Sequence, residues 1–508
     1  MTRAWSSTVG DLIRRSARRD PTRVALAFED RSWTYAALDA GASRVARRLL
    51  SLKLRKGDRV AAYGKNSDAY LLLYLACARA GLVHVPINFS LTGEELAYIV
   101  NQSGSRALFA DPALEERVTA VHARVGATHF GTLRGGAGAD VLAWSREGPA
   151  EDPDVEVHDD ALAQLLYTSG TTAAPRGAML THRALVHEYA SCIAALDLAR
   201  EDRPLHVLPL YHSAQMHVFL MPYLAVGAMS RLHEGPDPAA VLRDVEEHRI
   251  TSFFAPPTFW IALLNHPDFA RRQLGTLRKA QYGASIMPVP VLKQLQARLP
   301  GLGFYNCFGQ SEIAPLATVL RPEEHAARPD SAGKAVLFVD LRVVDDRMED
   351  VAAGQVGEVV YRSPQLCQAY WEKPEETEEA FAGGWFHSGD LARVDAGGYI
   401  TIVDRKKDVI NTGGVVVASR EVEDQIYTHP AVQEVAVIAT PDPKWIEAVT
   451  AVVVLKKGQQ ATAEEIVDHA RQHLAPFKVP KVVHFVSDLP RNASGKILKR
   501  ELRRRFER

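Results

Sequence analysis

Between Thr168 and Gly177 the chain reads TSGTTAAPRG, a run of hydroxyls and small residues with one cation, Arg176. Small residues let a backbone approach a polyanion closely, hydroxyls donate to its oxygens, and a guanidinium supplies the opposing charge. Thr168, Ser169, Gly170, Thr171, Thr172 and Arg176 thus form a segment fit for nucleotide phosphates. A Ser/Thr-rich turn that binds nothing has the same composition, so this stretch alone establishes only a capacity for phosphate.

Three other places carry side chains suited to the rest of a nucleotide. Phe308 offers an aromatic face for a base, and Gly283 and Ala284 leave the space a flat ring requires; packing in the core is the alternative. Glu312, next to Ser311, is a hard oxygen ligand of the kind Mg²⁺ takes when it rides on phosphate oxygens, or else an ordinary surface acid. Asp390 is an acceptor-only carboxylate able to take both ribose hydroxyls, or a turn-capping aspartate.

These residues need elements to hold them. Leu165 to Tyr167 reads as a strand, and Leu185, Tyr189, Cys192, Ile193 and Leu196 fall at helical spacing. Strand, small-residue loop, helix is the context in which backbone N–H groups are presented to phosphate. From Val24 to Ile87 β-branched runs alternate with helical stretches, and Ala69 to Ile87 reads as a core helix followed by a strand. GTLRGGAGAD at 131–140 lacks the spacing of a dinucleotide loop and is expected to be a surface loop. The fold class is α/β. Beyond residue 404 the elements shrink to a small α+β unit: helix 419–428, strands 432–440 and 448–455, helix 463–474 and strand 480–487. The expected division is an N-terminal domain at 1–404 and a C-terminal domain at 405–508, with DRKKDVINTGG as the hinge segment.

Composition bounds the partners. The 508 residues are 47% hydrophobic and 24% charged with a net charge of −1, so no field draws the chain to nucleic acid or anionic lipid. A small-molecule partner is expected. Cys77, Cys192, Cys307 and Cys367 suit neither a disulfide framework nor a zinc site, and a reducing cytoplasm fits. No signal peptide or spanning segment is read. The basic run Lys499, Arg500, Arg503, Arg504 and Arg505 is expected to be a solvated helix face.

The loop at 168–177 resembles the phosphate loop of the adenylate-forming superfamily, and six further segments match that family in its order. They are PLYHSAQMH (209–217), YGASIMP (282–288), NCFGQSE (306–312), HSGD (387–390), DRKKD (404–408) and PRNASGK (490–496). The resemblance is to the acyl-CoA synthetase branch, and within it to bacterial fatty- and aryl-acyl-CoA ligases, including those of secondary metabolism. It implies a large multi-subdomain α/β domain, a small mobile C-terminal domain, and an acid:CoA ligase that uses ATP, Mg²⁺ and coenzyme A. By the same resemblance Ser285, Asn306, Gln310, Ser311 and Arg405 join the nucleotide site. Lys496 is the mobile lysine that offsets negative charge as a carboxylate attacks the α-phosphate. Lys407 is the hinge, Gly413 and Gly414 border a pantetheine channel, and His212 lines the acyl and thiol side. Gln215, Met216 and His217 are expected to shape the acyl pocket; a homodimer is one expected state.

The chain departs from the family pattern at Ala173 and Arg176, where glycine and lysine are usual, and at Val415, Val416, Ser419 and Ile446. Arginine keeps the charge but not the point geometry of lysine. Two alternatives therefore stand beside the complete ligase. One is an enzyme that mainly transfers a preformed acyl-AMP to coenzyme A; the other is a non-catalytic acyl-nucleotide module.

Overall fold

The computed structural model describes residues 7–136, 138–168, 175–283, 287, 289–412, 415–491 and 497–506. Two largely parallel sheets form the large part. One runs, edge to edge, through His129–Thr132, Ser105–Ala110, Arg59–Tyr63, Val83–Ile87, Leu162–Thr168 and Arg176–Thr181, with only the last pair antiparallel. The other carries Lys279–Gly283 and Gly303–Gly309 side by side and parallel. Their strands read VALAF, RVAAY and VHVPI, largely apolar runs of the kind that parallel strands covered on both faces require.

The helix Asp68–Ala80 is buried on every side, which places it inside the core. Ser67 caps its N-terminus by accepting from the Tyr70 N–H, and Gly81, at φ 67°, ends it in the left-handed conformation. The expected helix and strand across Ala69 to Ile87 are thus present. A third, antiparallel sheet holds Asp340–Val344, Val356–Arg362, Phe386–Val394 and Ile400–Arg405 in that order.

The C-terminal part builds its own sheet and its own core, in which Ile410, Val422, Ile426, Val437, Val449 and Ile466 are fully buried. Its elements follow the expected order with shifted ends: helix Ser419–Tyr427, strands Val432–Asp442 and Ile446–Leu455, helix Ala463–Arg471 and strand Val482–Phe485. The expected boundary at 404 and 405 falls on the last two residues of the strand Ile400–Arg405.

At 131–140 a loop carrying the exposed Gly135 and Gly138 follows the strand His129–Thr132, as expected, and it is closed by the bridge between Thr132 and Asp140, which caps the short helix Val141–Trp144. One expectation needs correction. The basic run is not simply solvated, because half-buried carboxylates draw two of its members inward. Lys499 meets Glu423 at 2.8 Å and Arg503 meets Asp408 at 2.6 Å. Among the described residues no helix is long and apolar enough to cross a membrane.

Candidate active site

Thr168 and Arg176, the described flanks of the phosphate segment, are register partners on adjacent antiparallel strands. The hairpin returns Arg176 to the side of Thr168, and a third residue joins them from far along the chain. Glu312 lies in the short turn Ser311–Ile313, is 8% exposed, and has its Oε1 3.4 Å from the Thr168 hydroxyl. Ser169, Gly170, Thr171 and Thr172 lie outside the described residues, as do Ala173, Ala284, Ser285, Gly413, Gly414 and Lys496.

Tyr370 completes the group, and nothing in the sequence singled it out. Its hydroxyl donates to Glu312 Oε1 at 2.9 Å, while the Arg176 guanidinium lies over its ring at 4.3 Å from the centroid. The segment around it is laced to the strand that begins at Arg176: Trp371 N–H donates to Gly177 O at 2.8 Å, and Met179 N–H to Ala369 O at 3.0 Å. The Cys367 N–H holds the Glu312 carbonyl at 2.7 Å. Burial, followed by the neighbouring Glu312 charge, pushes the Tyr370 phenol well above its ordinary range, so it stands as a proton donor.

Asp390 and Arg405 are register partners on the third sheet, joined by an ion pair of 2.7 Å with Asp390 almost fully buried. The Asp390 charge, and less strongly that of Glu312, holds Arg405 above its ordinary pKa against the opposing effect of burial. The two acids therefore act on one guanidinium. Ser388, two residues earlier on the strand Phe386–Val394, accepts the Asp390 N–H at 3.0 Å.

The expected base-binding residues are close to one another but differently employed. Gly283 pairs with Cys307, and a Cβ at 283 would lie 2.4 Å from the Cys307 carbonyl oxygen. Close approach of the neighbouring strand therefore already requires glycine there, apart from any space for a base. Asn306 donates to the Ser331 carbonyl at 2.8 Å. Phe308 is half-buried at the end of the same strand, and Gln310 follows it in extended conformation. The Ser311 hydroxyl lies 3.1 Å from that of Ser213, which brings the segment of His212 alongside. His212 Nδ1 accepts the Ala214 N–H at 3.3 Å.

Gln215, Met216 and His217 lie on a π-helical stretch, Ala214–Leu220, a rare geometry that recurs at functional sites. All three are buried, and the polar ones are tied into the interior. Gln215 accepts the Leu208 N–H and meets His206 Nδ1 at 2.9 Å. His217 lies between the Tyr189 hydroxyl and Gln164 Oε1, each at 2.9 Å. The chain of contacts extends from Tyr189 to Tyr74 and from Gln164 to His84. Burial pushes both His84 and His217 down to about 3.

Lys407 is exposed just beyond the strand Ile400–Arg405. Farther on, Val415, Val416 and Ile446 are exposed aliphatic residues, and Ile446 has φ +69°, a left-handed conformation uncommon for a β-branched side chain.

The model of the AMP-binding enzyme family matches residues 13–371, and that of the AMP-binding enzyme C-terminal domain matches residues 421–496. A feruloyl-CoA synthase of Amycolatopsis sp is 39% identical over 492 residues, covering 97% of this chain and 98% of that protein. Among solved structures, ATP-bound MatB from Rhodopseudomonas palustris superposes with a TM-score of 0.91 at 31% identity, covering 99% of each chain. The anthranilate CoA ligase AuaEII in complex with anthranoyl-AMP gives a TM-score of 0.92 at 27% identity, covering 98% of this chain and 97% of that one.

Proposed function

Because the chain belongs to the AMP-binding enzyme family, we propose that it is an acid:CoA ligase working through an acyl-AMP intermediate. The supporting observation is the convergence of Thr168, Arg176 and Glu312 at one place, with the Asp390–Arg405 pair sharing its electrostatics. A carboxylate oxygen of the acid attacks the α-phosphorus of ATP, the bond to the β-phosphate breaks, and pyrophosphate leaves. The thiol of coenzyme A then attacks the acyl carbonyl, loses its proton, and displaces AMP.

In this reading Phe308 stacks on adenine, with Gly283, Ala284, Ser285, Asn306, Gln310 and Ser311 around it, and Asp390 takes the ribose hydroxyls. Arg176 and the residues from Thr168 to Thr172 hold phosphate oxygens. Lys496 opposes the charge that builds between two anions, a contribution realised in the transition state. Lys407 is the hinge about which the C-terminal part turns, exposing the intermediate to a thiol that passes Gly413 and Gly414. His212 borders the acyl and thiol side, and Gln215, Met216 and His217 support the acyl pocket. The division at 404 and 405 belongs to the same proposal.

Among the described residues no group of three or more His, Cys, Asp or Glu could cage a metal. A lone buried carboxylate, Glu312, suits an ion that arrives on phosphate oxygens and keeps its waters. Mg²⁺ held there would neutralise phosphate charge; Glu312 itself needs only to stay aimed. The relatives acting on aromatic acids (ferulate, anthranilate) make such acids the first to test.

ATP–pyrophosphate exchange with a panel of aryl and fatty acids, run beside capture of synthetic acyl-AMP by coenzyme A, tests this. Exchange with at least one acid is expected, together with thioester formation. Glu312→Gln, which keeps an acceptor for Tyr370, is expected to slow exchange by about a hundredfold or more. Thioester formation from acyl-AMP with no exchange for any acid would leave only the transfer reading.

A further inference from the structure

Resting on the ligase reading, we infer that Tyr370 is a positioning residue for adenylation: its hydroxyl fixes the Glu312 carboxylate while its ring face carries the Arg176 guanidinium. Tyr370 is 4% exposed and its backbone is laced to the strand of Arg176, so both attachments have a rigid base. The donors to Glu312 among the described residues, Thr168 and Tyr370, both address Oε1. Oε2, which no described residue addresses, is the oxygen this leaves for a cation. A carboxylate held by one oxygen presents the other in a fixed direction, which suits a single-point ligand to a hydrated ion on phosphates.

Arg176 is held in a complementary way. A planar guanidinium stacks where an ammonium would not, and its Nε is buried with no partner among the described residues. A buried cationic N–H without an acceptor is costly unless a ligand supplies one. A phosphate oxygen is the acceptor the setting calls for. Tyr370 thus ties together the acid that serves the cation and the base that serves the phosphates, and it touches neither ligand.

Two variants separate the two attachments. Tyr370→Phe keeps the ring under Arg176 and removes the donor to Glu312; Tyr370→Leu removes both. Calorimetric titration of ATP is done with Mg²⁺ and with EDTA, alongside exchange assays over a range of Mg²⁺ concentration and thermal unfolding of each variant. For Tyr370→Phe the ratio of ATP affinity with Mg²⁺ to that without is expected to fall about fivefold or more, a loss of about 1 kcal/mol, and half-maximal exchange to need correspondingly more Mg²⁺. For Tyr370→Leu the affinity in EDTA is expected to fall as well. A folded Tyr370→Phe enzyme with the wild-type ratio and Mg²⁺ dependence overturns the inference. Absence of Mg·ATP binding by the wild-type chain instead overturns the ligase reading on which it rests.

Discussion

Asp404 takes both polar hydrogens of Ser419: the backbone N–H at 2.6 Å and the hydroxyl at 2.8 Å. Lys499 donates to the same hydroxyl at 2.6 Å and pairs with Glu423. The carboxylate ends the third sheet and the serine begins a helix of the C-terminal part, with Lys407 between them in sequence, so the contact spans the proposed hinge. Ser419→Pro removes both hydrogens. Since hydrogen bonds to a charged group contribute about 1.5–3 kcal/mol, trypsin cleavage after the exposed Lys406 and Lys407 is expected to quicken about tenfold. An unchanged cleavage rate would show that the contact does not restrain the two parts.

Arg176→Lys introduces the residue that the family resemblance implies at this position, yet it is expected to lower activity. The Arg176 guanidinium carbon lies 4.3 Å from the Tyr370 ring centroid, and a compact ammonium keeps only part of that contact, which is worth about 2 kcal/mol when desolvated. ATP–pyrophosphate exchange should fall about three- to tenfold, chiefly through the KM for ATP. Faster exchange in the lysine variant would refute this account.

Acid should unfold this protein through its histidines before its carboxylates matter. Burial pushes His84, His206 and His217 down to about 3 and His182 to about 4. In the unfolded chain these imidazoles take up protons below about pH 6.5, while the folded ones stay neutral. The neutral folded form is therefore favoured above about pH 6.5, and stability drains away as the pH falls toward 3–4, by up to about 1.4 kcal/mol per pH unit for each residue. Urea midpoints at about pH 8.5, 7.5 and 5.5 should be level over the first interval and drop over the second. A level midpoint throughout would contradict the burial assigned to these rings.

Ile446→Gly is expected to stabilise the C-terminal part. Ile446 holds φ +69° and is 61% exposed, so its side chain gains little from burial. Relief of about 1–3 kcal/mol of backbone strain, less about 1 kcal/mol for the freer unfolded glycine, leaves about 1 kcal/mol. Denaturant unfolding of the whole chain, read by amide exchange in the strands Val432–Asp442 and Ile446–Leu455, measures it; a lower midpoint would rule the strain out.

What the sequence made legible were features written in local period and composition. The strand before Thr168, the helix after Thr181 and the small α+β unit all carry their signal within a window of a dozen residues. Tyr370 had no such signal. It stands 58 residues from Glu312, and the pairing of its segment with the strand Arg176–Thr181, together with the Cys367 N–H on the Glu312 carbonyl, brings the two together. Gly283 was legible as a glycine, but the Cys307 carbonyl that demands it lies on another strand. The inward pull on Lys499 and Arg503 was equally hidden, because Glu423 and Asp408 become their partners only once the last helix docks.

The buried contacts that join Tyr74, Tyr189, His217, Gln164 and His84 also constrain descent. Every member has its neighbour's need for a donor or an acceptor imposed on it, and no solvent is at hand to absorb a mismatch. Altering one of these five positions leaves an adjoining buried group short of its partner, a cost that a matching change next to it would remove, so paired changes are favoured here over single ones.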